Sequence, residues 1–369
     1  MINTKPTIKF HLVTKRRKII KVIAINFALI ALILVTTEVF VTLCFAFPSV
    51  CKYTPVLKVL RVLYLKGVRN VIQFIPEYTK YDKDLFYTLK PGSFEFYNLE
   101  FKTNYYVNQL GTRDDENSLI SPDAVVIGDS FAMGWGVQQD ETFAQVIEHK
   151  SNLKVLNAAV SSYGTIREMG MLARVDTSAL RYLIIQYSDN DFNENKAFLG
   201  NEGAFFAYGN KMFHHSLKLY SQRKKRHYFG KYIHTMISGL VGKCSYDETA
   251  KFEEGYTTKI EEAEAFVNLL MKSQVNLQDV EIIVTELNSY GNNDSDFVGN
   301  LNRIVKSGNY PEYIKNIRVI DSSKILNKKH YFILDDHINR KGHEVVAEEI
   351  LKVMQNYKPD SQGSKHSWE

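Results

Sequence analysis

The chain has 369 residues, enough for one large α/β domain with appendages or for two small domains. Its composition, 45% hydrophobic and 24% charged with 8 prolines, is that of a globular protein. The net charge of +5 is local: Lys5, Lys9, Lys15, Arg16, Arg17, Lys18 and Lys21 face no acid in the first 21 residues, which leaves the rest near neutral and excludes a case for nucleic acid as partner.

After this basic run, residues 22–47 hold a single charge, Glu38. A membrane crossing takes about 20 apolar residues. The stretch is therefore read as an uncleaved, single-pass signal anchor, with residues 1–21 in the cytoplasm and the body outside it. Glu38 is either a partner contact inside the membrane or a charge near one end of a tilted helix, the second being the preferred reading. Residues 48–84 form a juxtamembrane linker. In it Val56, Leu57, Leu60, Leu63, Tyr64 and Val68 recur at helical spacing among basic residues, which suits a membrane surface or the globular domain equally. Of three cysteines, Cys44 lies in the apolar span without the surroundings of a lipidation site, and Cys51 and Cys244 are the candidates for one bridge. No His and Cys set has zinc spacing, so neither metal nor other cofactor is expected.

Residues 75–120, rich in aromatics and turn residues, predict short β pieces packed on the main domain. Strands then alternate with helices. Strands are predicted at 124–127, 154–157, 182–187, 280–286 and 317–320, and helices at 141–150, 166–175, 258–272, 297–307 and 340–355. Thr258 and Glu261 supply a capping box for the third of these helices. The strands are short continuous apolar runs, as in a parallel sheet buried on both faces. The expected fold is a flavodoxin-like three-layer α/β/α sandwich with a five-stranded parallel sheet in order 2-1-3-4-5, preceded by one transmembrane helix. An aromatic and basic stretch at 198–256 interrupts the rhythm and is read as an insertion. The polar tail, 358–369, is expected to be disordered.

Reactive groups in open α/β sheets gather beyond the carboxyl ends of the strands. The first strand ends at Gly128-Asp129-Ser130, the second leads to a loop containing Gly164, and the third is followed by Asp189-Asn190-Asp191. Asp335, Asp336 and His337 stand just before the last helix. Each has a plain structural reading: Asp129 and Ser130 as helix caps, Gly164 as a loop glycine, Asn190 and His337 as caps. His343 and Trp135 are read as packing. Together the four blocks are more specific than any one.

This combination resembles the SGNH (GDSL-type) hydrolase superfamily, and within it the membrane-anchored bacterial members, which follow the serine block with a stretch like Gly134-Trp135-Gly136-Val137 and Glu141-Thr142-Phe143. The resemblance covers roughly residues 85–355 apart from the insertion, and makes 85–357 the hydrolase domain. It implies Ser130 as nucleophile, His337 as base and Asp335 as the orienting acid, with Asp336 as the fallback because the spacing is Asp-x-His where many members have Asp-x-x-His. It implies an oxyanion hole from the Ser130 N–H, the Gly164 N–H and the Asn190 amide. The implied activity is that of a serine esterase working through an acyl-enzyme on O-acyl esters, above all O-acetyl groups of envelope polysaccharide. An acylated carbohydrate or other ester would be the substrate, at the extracytoplasmic face of a bacterial inner membrane. The alternatives are an O-acyltransferase with the same residues and a non-catalytic scaffold or carbohydrate-binding protein. The insertion follows Asn190 and is expected to overhang the site as a lid or substrate wall.

Overall fold

The computed structural model describes residues 6–52, 55–200, 209–224, 228–240, 261–290 and 296–355. They fall into two compact units, 1–68 with 224–246 and 69–223 with 247–369. The predicted linker is therefore divided at Val68, and the insertion at Arg223.

The first unit is built on helix α1, Pro6–Ala46. From Arg16 to Ala46 it is long and apolar enough to cross a membrane, with a mean hydropathy of 2.6 over 18 of its residues. Three short helices accompany it: α2, Pro48–Cys51; α3, Val56–Gly67; and, from the insertion, a helix at Lys231–Leu240. The spacing that predicts α3 buries Leu57, Leu60, Leu63 and Tyr64. Two expectations are corrected here. Cys51 is bonded to Cys44, seven residues away with the Cα atoms 6.1 Å apart, so it is not available to Cys244, which lies outside the described residues. Glu38, read by preference as an end charge alone, is buried and accepts backbone N–H groups at the start of the insertion helix, so it makes a contact as well.

The second unit opens with two antiparallel hairpins, as the aromatic lead-in predicts. β1 (Thr79–Asp82) pairs with β2 (Phe86–Leu89), and β3 (Gly92–Tyr97) with β4 (Lys102–Val107). The main sheet consists of β5 (Ala124–Ile127), β6 (Val155–Asn157), β7 (Tyr182–Tyr187), β8 (Glu281–Glu286) and β9 (Arg318–Ile320). Its order is β6-β5-β7-β8-β9 and every pairing is parallel, the expected 2-1-3-4-5. Alternate residues point to opposite faces. Val125, Ile127, Leu183 and Ile185 join one core with Leu172, Phe266 and Phe297, while Ala124, Val126, Tyr182 and Ile184 join the other with Phe143, Ile147, Val346 and Ile350. Both faces are covered, which is why the strands read as continuous apolar runs.

Among the flanking helices, α4 (Ser130–Met133), α5 (Phe143–Ser151) and α6 (Thr165–Leu172) follow β5 and β6. The last three strands are served by helices at Glu262–Met271, Phe297–Ser307 and Arg340–Gln355. The prediction at 258–272 holds only from Glu262, since Thr258 lies outside the described residues, as does the tail 358–369. α7, Asp191–Gly200, leads into the insertion, whose other described residues hold α8 at Asn210–Lys224 and, in the first unit, α9 at Lys231–Leu240. α8 does not stand off as a free flap. Phe213 and Leu217 are buried with Leu85 and Phe86, and the Tyr220 hydroxyl accepts the Val71 N–H at 2.7 Å.

Candidate active site

Strand order decides how the serine is held, because β5 has β6 on one side and β7 on the other. From β7 the Gln186 Oε1 accepts the Asp129 N–H at 3.0 Å and the Ala132 N–H at 3.3 Å. From β6 the Asn157 amide donates to the Ala132 carbonyl at 3.0 Å. The Asp129 carboxylate accepts the Phe131 N–H at 2.8 Å and caps α4, so Ser130 is the first residue of that helix. Burial pushes the Asp129 carboxyl up to about 6, against the lowering by the Phe131 N–H and by His337.

The turn tolerates no side chain at Gly128. A Cβ there would lie 2.7 Å from the Ala132 Cβ and 2.7 Å from the Gln186 Oε1 that pins the turn. Gly128→Ala is expected to destabilise the protein by about 1–3 kcal/mol through overpacking, read as a lower urea midpoint at unchanged m-value. An unchanged midpoint would mean that the turn is not packed this way.

Ser130 Oγ and His337 Nε2 are 2.7 Å apart, bridging 207 positions of sequence. On the far side of the ring, Nδ1 is 2.6 Å from Asp335 Oδ1 and 3.2 Å from Asp336 Oδ1. The ring is stacked on Trp135 at 4.9 Å and tilted against Phe131 at 4.8 Å. Burial opposes the charged imidazole, but Asp335 and then Asp336 outweigh it and hold His337 up to about 9.

The two acids differ in their surroundings. Asp335 is fully buried, and its second oxygen accepts the Trp135 indole N–H at 3.2 Å. Asp336 is partly exposed, 2.7 Å from Arg69 Nη1 and 3.1 Å from the Ser289 hydroxyl. Although burial raises it, the Arg69 charge brings its carboxyl well below the usual range. The loop carrying both is set by Glu100, between β3 and β4, whose carboxylate accepts the N–H groups of Ile333, Leu334 and Asp335 at 2.7, 2.7 and 2.8 Å. Behind the serine, fully buried Arg113 donates to the carbonyls of Met133, Gly134 and Val137 and lies 3.6 Å over the Tyr105 ring. Gly134 (φ 86°) and Gly136 (φ 80°) make the bends this loop needs.

Ser130, His337 and Asp335 are thus brought together as the sequence predicts. The Ser130 N–H opens a helix, where donors have no intrahelical acceptor. Asn190 is exposed in the turn after β7. Gly164 is engaged otherwise: its N–H donates to Glu194 Oε2 at 3.2 Å, and Glu194 is itself paired with Arg167 at 2.7 Å. In the same loop Ser162 holds a left-handed conformation, φ 59°. His343 is buried, accepts the Phe143 N–H and plays the packing part expected of it. Sequence reasoning passes over Arg69, Glu100, Arg113 and Gln186, and takes Trp135 for packing alone. Asp335, Asp336 and His337 are the only group among the described residues close enough to share a metal ion. Arg69 and Ser130 already occupy their free sides, an arrangement suited to proton transfer.

No protein-family model and no curated protein matches the sequence. Solved structures do. A protein described as lipolytic and of the G-D-S-L family, from Desulfitobacterium hafniense, is 14% identical at a TM-score of 0.34, covering 62% of this chain and 98% of that one. A member of the same family from Veillonella parvula is 13% identical at 0.31, covering 63% and 98%. A lipase from a goat rumen metagenome is 15% identical at 0.31, covering 62% and 95%. With five parallel strands in the order 2-1-3-4-5 and helices on both faces, the second unit has the three-layer α/β/α fold expected of it.

Proposed function

We propose that the protein is a serine esterase that splits small acyl esters, acetyl above all, through an acyl-enzyme on Ser130. The observation that carries this is the unbroken line from Ser130 Oγ through the His337 ring to buried Asp335, at 2.7 and 2.6 Å. A serine hydroxyl is a weak nucleophile near neutral pH and needs a base in hydrogen-bond reach. As Oγ adds to the ester carbonyl, its proton passes to His337 Nε2, and Asp335 steadies the imidazolium. The Ser130 N–H and the Asn190 amide are the proposed oxyanion donors. Gly164 joins them only if its N–H leaves Glu194. His337 then gives its proton to the departing alcohol. Water, deprotonated by the same ring, splits the acyl-enzyme, releases the carboxylic acid and leaves Ser130 protonated again.

The proposed setting is a single-pass anchor with the enzyme outside the cytoplasm, supported by the apolar helix and by seven basic residues among the first 21 of the chain with no acid between them. An O-acylated envelope polysaccharide is the substrate this setting favours.

An alkyl fluorophosphonate, which phosphonylates only an activated serine, tests the chemistry. Ser130 is expected to be labelled, as mapped by mass spectrometry. His337 accepts a proton only when neutral, so the labelling rate should climb with pH and level off above about 9. Absence of label at Ser130 across that range would remove the catalytic reading.

A further inference from the structure

The one acid of the apolar span does not face lipid alone. Glu38 is 4% exposed. Its Oε1 accepts the N–H groups of Gly230 at 3.1 Å and Tyr232 at 3.3 Å, and its Oε2 that of Ile233 at 3.3 Å. These belong to the opening turn of α9, whose donors lack intrahelical acceptors and whose dipole favours an anion. The contact is backed by packing on both sides. Phe45 of α1 lies against the Tyr232 ring at 4.9 Å. Gly67 of α3 faces the Thr235 side chain, and a Cβ there would meet it in ordinary van der Waals contact. The Cys44–Cys51 bond closes the turn from α1 into α2. α9 is therefore tied to the anchor helix by charge and by rings, and rests on α3 beside it.

Depth follows from the rise of a helix, 1.5 Å per residue. A hydrocarbon core of about 30 Å beginning at Val22 places Glu38 about 24 Å in, some 6 Å short of the far edge. The start of α9 is held at that level. Beside it Phe229 is 70% exposed, Ile237 56% and Met236 37%, with Val59 and Val62 of α3 and Val50 of α2 also exposed. Water does not ordinarily meet so many large apolar groups on adjoining short helices. The neighbouring part of α1 is exposed and apolar too, at Val39, Phe40 and Leu43. The same helices carry Lys52, Lys58, Arg61, Lys66 and Lys231, cations suited to anionic headgroups.

We propose that α9 is a second membrane element. It is clamped to the anchor by Glu38 and seated with α2 and α3 among the headgroups and outer acyl carbons of the leaflet into which the carboxyl end of α1 opens. This rests on the proposed anchor. The occupant of the exposed face is lipid.

The full chain, reconstituted in phosphatidylcholine–phosphatidylglycerol vesicles containing a phosphatidylcholine with a diazirine on its acyl chain, is irradiated and digested, and labelled peptides are quantified. Label is expected in α1 and, at no less than a tenth of that yield, in the peptide bearing Phe229, Met236 and Ile237. Label in α1 with none in that peptide overturns the inference and leaves the anchor standing. Label in neither removes the anchor reading and the inference with it. Glu38→Ala should lower α9 labelling at least threefold while α1 labelling holds. Equal α9 labelling in this variant would refute the clamp.

Discussion

Ser130→Ala is expected to lower kcat on a chromogenic short-chain ester by about 10⁴-fold or more, with KM changed little. The variant loses the oxygen proposed to attack, while the ring and its carboxylate stay where they are. His337 is gripped by Trp135 and Phe131, and Asp335 by Trp135 and the Glu100-bound loop, none of which depends on the serine oxygen. The stability cost is that of one lost hydrogen bond at a buried imidazole, about 1 kcal/mol. A circular dichroism spectrum matching wild type therefore accompanies the loss of turnover. Retention of more than a tenth of the activity would transfer the chemistry to some other group, or reduce the arrangement to a cap on α4.

Much of this is legible in the chain because its signals are local. The strands at 124–127 and 182–187 are apolar runs ended by polar turns, and a strand buried on both faces must read so. Asp335 and His337 are two residues apart, within the grasp of any motif reading. What escaped depends on single polar side chains meeting far from home. Gln186 breaks an otherwise apolar strand, and nothing in Y-L-I-I-Q-Y says that its amide pins the serine turn. Only the register of Ile127 beside Ile185 brings it there. Arg69 lies 267 positions from the Asp336 it pairs with. Gly164 stands out by its place in a loop, but its N–H is held by Glu194, a partner 30 residues on that no pattern announces. Glu38 met the same difficulty: its partners come from an insertion whose sequence shows no repeat. Periodicity reveals which face of an element is buried, but it does not report which polar atom is waiting there.

The choice between the two acids yields the second large effect. In Asp335→Asn, an amide nitrogen set against His337 Nδ1 donates where the carboxylate accepted. The neutral ring then keeps its proton on Nε2, the atom that must accept from Ser130. A wrong tautomer of this kind costs about 10⁴-fold in kcat. Asp335 is also wholly buried and holds the Trp135 indole, so there is no second geometry in which water replaces it. Asp336→Asn should behave differently. Its oxygen stands 3.2 Å from Nδ1 against 2.6 Å for Asp335, and its charge is committed to Arg69 at 2.7 Å. Losing it removes one of two negative neighbours of the ring. The pH at which activity reaches its plateau should then move downward from about 9, while kcat at the plateau falls less than tenfold. Measuring kcat against pH for both variants separates the roles. If Asp336→Asn proves the more damaging, the Arg69-paired carboxylate is the one that orients the base, and Asp335 serves to hold Trp135 and the loop.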